Sequence, residues 1–341
     1  MTPIRVGVVG ATGSTGVELI SLLLRHPAVE LVALSSVNHV GKIFSELFPK
    51  FRGRVDLPLV ETAEIKSSSL DLIFLAVPHG VGMSLVKEWA STNFKIIDLS
   101  ADFRLLNAVD YKQWYKWEHS YSEGLKRAVY GLPELFRDQI AAAQLVANPG
   151  CQPTCALLAL APLLQNGWVE LQSIIIDAKS GASGAGSRVR KATQFMNIYN
   201  NVSARSLKKH RHTVEIESYL SELAGESLTL QFTPHLLPID RGILMTIYAK
   251  PSEQFESMEL LELYQQYYKN KPFVEICQHP PMLRDVQHIN NCHIYPTYDE
   301  RTGNILIVAA IDNLLKGSAG QAVQNMNVMM GWEETLGLSD L

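Results

Sequence analysis

A glycine-rich turn between a strand and a helix, close to the N-terminus, is the feature that most constrains the fold. The apolar run Ile4–Val9 leads into glycines at positions 10, 13 and 16, and an amphipathic run at 17–24 follows. Glycines at this spacing allow a tight turn, let the backbone approach a pyrophosphate and permit close packing of the helix on the sheet. The pattern predicts a Rossmann-type dinucleotide-binding domain with the phosphate charge at the helix N-terminus.

The end of the second predicted strand indicates which dinucleotide binds. The run 31–34 ends in Ser35 and Ser36, where an enzyme specific for NAD usually carries an acidic residue for the ribose 2′-hydroxyl. A carboxylate would repel a 2′-phosphate, whereas Ser35, Ser36, Asn38 and Lys42 could accept one. We therefore expect NADP rather than NAD.

Composition and charge fit a two-domain enzyme that acts on a small molecule. The 341 residues, 47% of them hydrophobic, can bury two cores, and strands at 70–77 and 95–100 around a helix at 81–90 extend the parallel pattern. A net charge of −4 provides no general attraction to nucleic acid or to anionic membranes. The chain opens directly in a strand, and no apolar stretch reaches the roughly 18 residues that span a bilayer. We expect a cytoplasmic protein that holds an anionic substrate with local cations.

Cys151 lies at the junction between an apolar strand at 144–147 and a helical run at 156–164. The unpaired N–H groups and the positive dipole end of a helix favour the thiolate over the thiol there. Pro153 suits the first helical turn, and Gly150 leaves room beside the sulfur. An isolated cysteine is more often a small buried apolar residue, but this context predicts a nucleophile. The four cysteines are too few and too unevenly spaced for a disulfide scaffold or a structural zinc site.

Two polar segments of the second half supply further chemistry. The glycine-rich segment 180–186 follows a strand and offers backbone donors suited to a nicotinamide or a phosphoryl group. The segment 208–215 opens an amphipathic helix at 214–223, and its His212 and Glu215 are three residues apart on one helix face. Glu215 could therefore orient the imidazole while it transfers protons. Such a cluster alone is typical of a solvated basic surface, but beside a poised cysteine it supplies the acid–base group.

The second half also loses the regular alternation of strands and helices. Its apolar runs predict strands, mixed with helices, at 173–179, 228–233, 243–250, 288–295 and 305–311. We expect an α/β chain with a Rossmann-type domain at 1–150, completed by a C-terminal helix within 314–341, and an α+β catalytic domain with a mixed sheet at 151–313.

Eight motifs together resemble the N-acetyl-gamma-glutamyl-phosphate reductase family, which is related to the aspartate-semialdehyde dehydrogenases. They are Gly-Ala-Thr-Gly at 10–13, Ser-Ala-Asp-Phe-Arg at 100–104, Tyr-Gly-Leu-Pro-Glu at 130–134, Asn-Pro-Gly-Cys at 148–151, the segment 180–184, His-Arg-His at 210–212, Arg-Gly-Ile at 241–243 and Asp-Asn-Leu-Leu-Lys-Gly at 312–317. The resemblance covers nearly the whole chain. It implies NADPH-dependent reduction of N-acetyl-L-glutamyl 5-phosphate in arginine biosynthesis, by a homo-oligomer (dimer or tetramer) that dimerises through 151–313. The family's common tyrosine before the His-Arg-His motif is Arg205 here.

The motifs and the resemblance together assign three sets of site residues and no metal. The catalytic set is Cys151, His212 and Glu215. The cofactor set is Gly10, Thr12, Gly13, Ser14, Thr15, Gly16, Ser35, Ser36, Pro78, Ser180, Gly181 and Asn313. The substrate set is Arg104, Asn148, Gln152, Ser183, His210, Arg211 and Arg241.

The chemistry of an acyl phosphate explains why these residue types are needed. A thiolate can attack the acyl carbon, expel phosphate and hold the resulting thioester rigidly for hydride transfer. Backbone N–H groups near Cys151, with Asn148 or Gln152, would stabilise the oxyanions. Arg104, Arg211 and Arg241 are candidates for the substrate's carboxylate and phosphate.

Two alternatives remain open from the residues. The nearer is another acyl-phosphate reductase, acting on aspartyl or aminoadipyl phosphate, which would share the cysteine and the cofactor. The more distant is a non-catalytic NADP-binding sensor that kept the fold, and the pairing of Cys151 with His212 argues against it.

Overall fold

A computed structural model describes residues 2–65, 69–186, 194–253 and 255–338. These residues divide into two units. The first contains the residues up to Lys112, Trp117–Pro149 and the residues from Ser318 onward, and the second contains Gln113–Lys116 and Gly150–Gly317. The end of the predicted C-terminal helical segment, 339–341, lies outside the described residues. Within the described ranges, no helix combines the length and the apolar character needed to cross a membrane.

The first unit is a parallel sheet flanked by helices. Its strands are β1 (Ile4–Val9), β2 (Val29–Ser35), β3 (Leu59–Val60), β4 (Leu72–Leu75), β5 (Lys95–Asp98), β6 (Val129–Tyr130) and β7 (Leu145–Ala147). Its helices are α1 (Ser14–Leu23), α2 (Phe44–Leu47), α3 (Thr62–Ile65), α4 (Gly82–Glu88), α5 (Ala108–Asp110), α6 (Ser122–Arg127), α7 (Pro133–Ala142) and, from the C-terminal segment, α13 (Gly320–Met329). The strand order is β3-β2-β1-β4-β5-β7-β6. The Rossmann-type fold predicted from the glycine turn is confirmed.

Helix α13 is fixed in the first unit by buried amide side chains. It packs against α1 and α7. Asn325 Nδ2 donates to the Gly131 carbonyl at 2.8 Å, and Gln324 Nε2 donates to Glu134 at 2.9 Å. An unpaired buried amide costs about 1–3 kcal/mol, so these bonds select the position of the helix.

The second unit is built on a mixed sheet. Its strands are β8 (Ile175–Ser180), β9 (Ser203–Ala204), β10 (Gln231–Leu236), β11 (Ile243–Ala249), β12 (Val274–Ile276), β13 (Cys292–Asp299) and β14 (Asn304–Ile311). Its helices are α8 (Cys151–Gln165), α9 (Phe195–Ile198), α10 (Arg211–Ala224), α11 (Ser257–Tyr268) and α12 (Leu283–Val286). The order is β12-β13-β14-β11-β8-β10-β9, with β8 parallel to β10 and β11 antiparallel to β8 and β14. The mixed sheet expected for this half is confirmed.

Two strand boundaries expected from the sequence were wrong, because the strands continue through prolines. The runs 228–233 and 288–295 stop just before Pro234 and Pro296, whereas β10 and β13 include them. Strand β12 pairs with β13 only as far as Ile294, so the missing N–H of Pro296 removes no ladder bond on that side. Pro234 uses its carbonyl instead, which accepts the Arg205 N–H at 2.8 Å.

Helix α8 forms the centre of the second unit and is buried on all sides. It packs against α10 and α11 and against β11, β13 and β14. Pro162 inside this helix has no N–H for the carbonyl of Leu158, four residues earlier, and the Tyr268 hydroxyl donates to that carbonyl instead. The long helix therefore keeps a fixed N-terminus despite its internal proline.

Candidate active site

Cys151 is the first residue of α8, with Gly150 as the N-cap. The cap has extended backbone (φ −67°, ψ 148°), and the Thr154 hydroxyl donates to the Gly150 carbonyl at 3.0 Å. Cys151 is partly exposed, and a Cβ added to Gly317 would lie 2.7 Å from the Cys151 Cβ. The thiol therefore lies in the field of the helix N-terminus, where the thiolate is favoured.

The Cys155 thiol, one turn further along α8, has a different environment. It is fully buried, and a hydrogen bond with Cys292, followed by burial, raises its pKa well above the usual thiol value. Cys155 therefore stays protonated and is a packing residue, whereas Cys151 has both access to solvent and the helix dipole.

His212 and Glu215, both on the first turns of α10, converge on the residue before the cysteine. Glu215 is fully buried, and its Oε1 accepts the Gly150 N–H at 2.8 Å. A Cβ added to Gly150 would lie 2.8 Å from His212 Nε2 and 3.0 Å from Glu215 Oε2. Position 150 must therefore be glycine, because any side chain there would collide with His212 and Glu215. The sequence pattern predicts that these two residues share one helix face. The arrangement brings an imidazole and a carboxylate next to Cys151.

His210 has a separate role as the N-cap of α10. Its Nδ1 accepts the backbone N–H of His212 at 3.2 Å, so the ring proton of the neutral imidazole is on Nε2. Burial, together with the charges of Arg211 and Arg205, lowers the pKa of His210 to about 4. Its ring lies 4.9 Å from that of His212. At neutral pH His210 is therefore an uncharged hydrogen-bond donor rather than a proton-transfer group.

A cavity of about 290 Å³ in the second unit brings most of the predicted catalytic residues and part of the predicted substrate set together. Its lining includes Cys151, Gln152, Ser180, Gly181, His210, Arg211, His212 and Asn313. Gln152 is buried, and within the described residues its Oε1 has no hydrogen-bond partner. This oxygen can accept a hydrogen bond from a ligand, whereas a donor for an oxyanion beside the sulfur would have to be the amide nitrogen, Nε2.

Arg104 and Arg241, two of the three arginines predicted to bind substrate anions, bond to groups of the protein outside the cavity. Arg241 forms a buried ion pair with Asp312, through Nε at 2.8 Å and NH2 at 3.0 Å. Arg104, in the first unit, donates to the carbonyls of Asn148 and Leu99, each at 2.7 Å. Neither lines the cavity, whereas Arg211 does. Arg104 therefore holds backbone in place and Arg241 neutralises Asp312, whereas Arg211 is the arginine of this set that lies at the cavity.

Two asparagines of the predicted site are hydrogen-bonded to groups of neighbouring loops and helices. In the first unit, Asn148 donates to the Ser318 carbonyl at 3.1 Å and accepts from Asn325 at 3.0 Å, so both ends of its amide have partners. In the second unit, Asn313 accepts the Gly242 N–H at 2.6 Å and donates to Ser183 at 3.1 Å. These bonds shape the loops around the site.

The dinucleotide side of the prediction lies in the first unit. Gly10 has φ +80°, and a Cβ there would lie 2.3 Å from the Ala76 carbonyl oxygen, while a Cβ on Gly16 would lie 2.4 Å from the Gly10 oxygen. Larger residues are therefore excluded from the turn, and its backbone can approach a pyrophosphate. Gly13 caps α1, and Ser14 and Thr15 form the first turn of this helix. The residues present fit a dinucleotide.

The hydroxyls at the end of β2 form a small network. Thr12 and Ser36 are 2.8 Å apart, and Ser35 is 3.3 Å from Thr62 and almost fully buried. Pro78 is exposed in the loop after β4, at the same carboxyl edge of the sheet. Both serines are buried, but Ser36 contacts Thr12 of the glycine turn, whereas Ser35 contacts Thr62 at the start of α3.

Two buried carboxylates lie at the end of β5. Asp102, which follows the strand, holds the loop after β4, and Asp98 is the last residue of the strand. Asp102 accepts the N–H groups of Gly80 and Met83 at 2.7 and 3.0 Å. Asp98 accepts from Ser100 Oγ at 2.7 Å, and burial, followed by the charge of Asp102, raises the pKa of Asp98 to about 7.

Several residues that line the cavity are absent from the predicted sets, Trp114, Arg205 and Lys209 among them. Trp114 belongs to the short segment Gln113–Lys116, which is part of the second unit although its chain neighbours belong to the first. No local sequence pattern predicts that so short a segment belongs to the other unit. The cationic run from Arg205 to Arg211 was visible in the sequence, but only the pairing of β9 with β10 shows that it faces the cavity.

Comparisons with known proteins show which family and fold the chain resembles. Residues 5–143 match the family model described as semialdehyde dehydrogenase, NAD binding domain, and residues 151–313 match that described as semialdehyde dehydrogenase, dimerisation domain. N-acetyl-gamma-glutamyl-phosphate reductases from Pelotomaculum thermopropionicum and Campylobacter jejuni subsp. doylei are 48% and 45% identical, each over 98% of both chains. Among solved structures, aspartate semialdehyde dehydrogenase II from Vibrio cholerae has a TM-score of 0.73 at 18% identity and covers 97% of this chain and 99% of its own. The Candida albicans aspartate semialdehyde dehydrogenase with NADP has a TM-score of 0.72 at 15% identity, covering 96% and 99%.

Proposed function

The chain belongs to the N-acetyl-gamma-glutamyl-phosphate reductase family, and on that premise we propose that Cys151 carries out the family reaction through a thioester. The reaction reduces N-acetyl-L-glutamyl 5-phosphate to N-acetyl-L-glutamate 5-semialdehyde and releases phosphate, a step of arginine biosynthesis. The observation that carries the assignment of residues is the convergence of His212 and Glu215 on Gly150, directly before Cys151.

Cys151 acts first as the nucleophile. Its thiolate, favoured by the N-terminus of α8, attacks the acyl carbon, so that a C–S bond forms and the bond from carbon to the phosphate oxygen breaks. Gln152 and the backbone N–H groups of the first helical turn are the donors for the oxyanion in this step. Each such donor contributes on the order of 3 kcal/mol to the transition state.

When bound, NADPH supplies the hydride that reduces the thioester carbonyl. The oxyanion that forms on the Cys151 adduct then re-forms the carbonyl and expels the sulfur, as His212 donates a proton. Glu215 orients His212 and stabilises its charged form. His210 stays neutral and donates from Nε2. Arg211, in the cavity lining, offsets the negative charge of the bound substrate.

The cofactor is a nicotinamide dinucleotide, and we propose that it is NADP, bound by the first unit. The matched NAD binding domain and the fit of Gly10 and Gly16 to a pyrophosphate support the dinucleotide. Ser36 and Thr12 at the end of β2 leave that position without a carboxylate, which supports a 2′-phosphate. We also propose a cytoplasmic homo-oligomer that assembles through residues 151–313, which light scattering on the purified protein would test.

The decisive experiment is phosphate-dependent oxidation of N-acetylglutamate semialdehyde, followed by NADPH absorbance. Cys151→Ala should abolish turnover and leave NADP affinity unchanged, because the dinucleotide turn is in the other unit. Cys155→Ala is the matched control on the same helix and should lower stability more than rate. Near-normal turnover in Cys151→Ala would refute the thioester mechanism.

A panel of semialdehyde substrates distinguishes the proposed function from the nearer alternative, which is another acyl-phosphate reductase. Activity greatest with the aspartate or aminoadipate semialdehyde would assign the chain to another acyl-phosphate reductase. Absence of NADP reduction with every semialdehyde would favour a non-catalytic sensor.

A further inference from the structure

The cavity around Cys151 is strongly cationic. Three of its lining residues carry positive charge, namely Arg205, Lys209 and Arg211, and its described lining contains no carboxylate. This local excess contrasts with the net charge of −4 for the whole chain. An anionic ligand would offset this charge, since cations that share a cavity repel one another.

Arg205 is held at the cavity wall by its backbone. Its N–H donates to the Pro234 carbonyl at 2.8 Å, and the two residues before it pair with His235 and Leu236 of β10. Within the described ranges the Arg205 guanidinium forms no ion pair, unlike that of Arg241, which Asp312 neutralises. An arginine whose backbone is fixed at a cavity wall and whose guanidinium has no counter-ion among the described residues is suited to bind phosphate or carboxylate in a bidentate manner.

The neighbours of Arg205 connect it to the reacting atoms. Its charge acts on His210, whose ring is 4.9 Å from His212, and His212 Nε2 in turn approaches Gly150, next to Cys151. In the substrate, the phosphoryl group is bonded through one oxygen to the carbon that Cys151 attacks. The substrate's carboxylate is separated from that carbon by three further carbons. Arg205 and Lys209 lie on the cavity wall beside the histidines. They are therefore better placed to bind the phosphate leaving group than the substrate's carboxylate.

We propose that Arg205 binds the phosphoryl group of the acyl phosphate, and inorganic phosphate in the reverse reaction, with Lys209 adding charge beside it. This inference rests on the proposed function, because it concerns the leaving group of that reaction. It also gives a chemical meaning to the arginine that replaces the family's common tyrosine at this position.

The kinetic test varies phosphate in the oxidation of the semialdehyde. Arg205→Gln should raise the KM for phosphate by about 10- to 100-fold, the value of one charge-assisted hydrogen bond, while the KM for the semialdehyde stays within about twofold. Arg205→Lys, which keeps the charge, should give an intermediate value. Lys208→Gln is the matched control, since Lys208 is an exposed neighbour outside the cavity lining. An unchanged KM for phosphate, or a rise only in the KM for the semialdehyde, would overturn the proposal.

A second readout does not depend on turnover. Inorganic phosphate should slow the alkylation of Cys151 by iodoacetamide, and the concentration that gives half protection should rise at least about tenfold in Arg205→Gln. Absence of protection in the unmodified protein, or equal protection in the variant, would refute the role of Arg205. If protection behaves as expected but no semialdehyde is oxidised, the proposed function fails and the phosphate site stands.

Discussion

Glu215 accepts a hydrogen bond at 2.8 Å from the backbone N–H of Gly150, the residue that precedes Cys151. The bond joins the first turns of two helices, α8 and α10, and brings a fully buried carboxylate to the N-terminus of the cysteine helix. A buried carboxylate is stable only with such partners. Glu215 therefore aligns the cysteine turn, and its charge lies near the imidazole of His212 because both side chains approach Gly150.

Glu215→Gln separates these two functions of the carboxylate. The amide oxygen can still accept from Gly150, but the negative charge that favours the charged imidazole is lost. We expect kcat to fall by about tenfold or more, a small change in KM, and a shift of the acid–base limb of the pH profile to lower pH. Glu217→Gln, on the same helix, should leave the profile in place. An unshifted profile in Glu215→Gln would mean that Glu215 has only a structural role.

The two histidines of the His-Arg-His motif should differ greatly in their effect on the rate. His212→Asn should lower kcat by roughly 100- to 10,000-fold and remove the limb of the pH profile near neutrality. His210→Asn should have a mild effect on kcat, because asparagine is also a good N-cap and because the pKa of His210, about 4, keeps it neutral throughout the assay range. Steady-state rates between pH 6 and 9 compare the two. A large loss in His210→Asn with a mild effect in His212→Asn would exchange their roles.

Local patterns were sufficient to predict the parts of the site that depend on neighbouring residues. The glycine turn, the cysteine at a helix start and the spacing of His212 and Glu215 each depend on a few adjacent positions. The arginines show the limit of this reasoning. The charge of Arg241 is visible in the sequence, but its neutralisation by Asp312 depends on a loop 71 residues away. Pro234 and Pro296 show the same limit for strands, since only the neighbouring strands determine whether a missing N–H matters.

The cofactor preference should depend on the end of β2. Ser36→Asp would place a carboxylate beside Thr12, where it repels a 2′-phosphate and can accept from a 2′-hydroxyl. We expect the ratio of kcat/KM for NADPH to that for NADH to be well above one in the unmodified protein and to fall in the variant. Ser35→Asp is a poor substitute because Ser35 contacts Thr62 rather than the glycine turn. Equal efficiency with both cofactors before mutation would remove the basis for assigning NADP.

The buried carboxyl of Asp98 should make the stability of the first unit depend on pH. Burial and the charge of Asp102 raise the pKa of Asp98 to about 7, so the folded state retains a proton that the unfolded chain loses near pH 4. The contribution of this group to the free energy of unfolding is therefore complete below pH 4 and declines as the pH rises to 7. Between pH 5.5 and pH 7 the decline should be roughly 1 to 2 kcal/mol.

Asp98→Asn tests this dependence, because asparagine keeps the shape of the neutral acid and can still bond to Ser100. Urea unfolding at pH 5.5 and pH 7.5 should show that the unmodified protein loses more stability than the variant over this interval. Asp71→Asn, at an exposed position of the same unit, controls for a general effect of removing a carboxylate. Parallel losses in the unmodified protein and in Asp98→Asn would show that Asp98 is already ionised at pH 5.5.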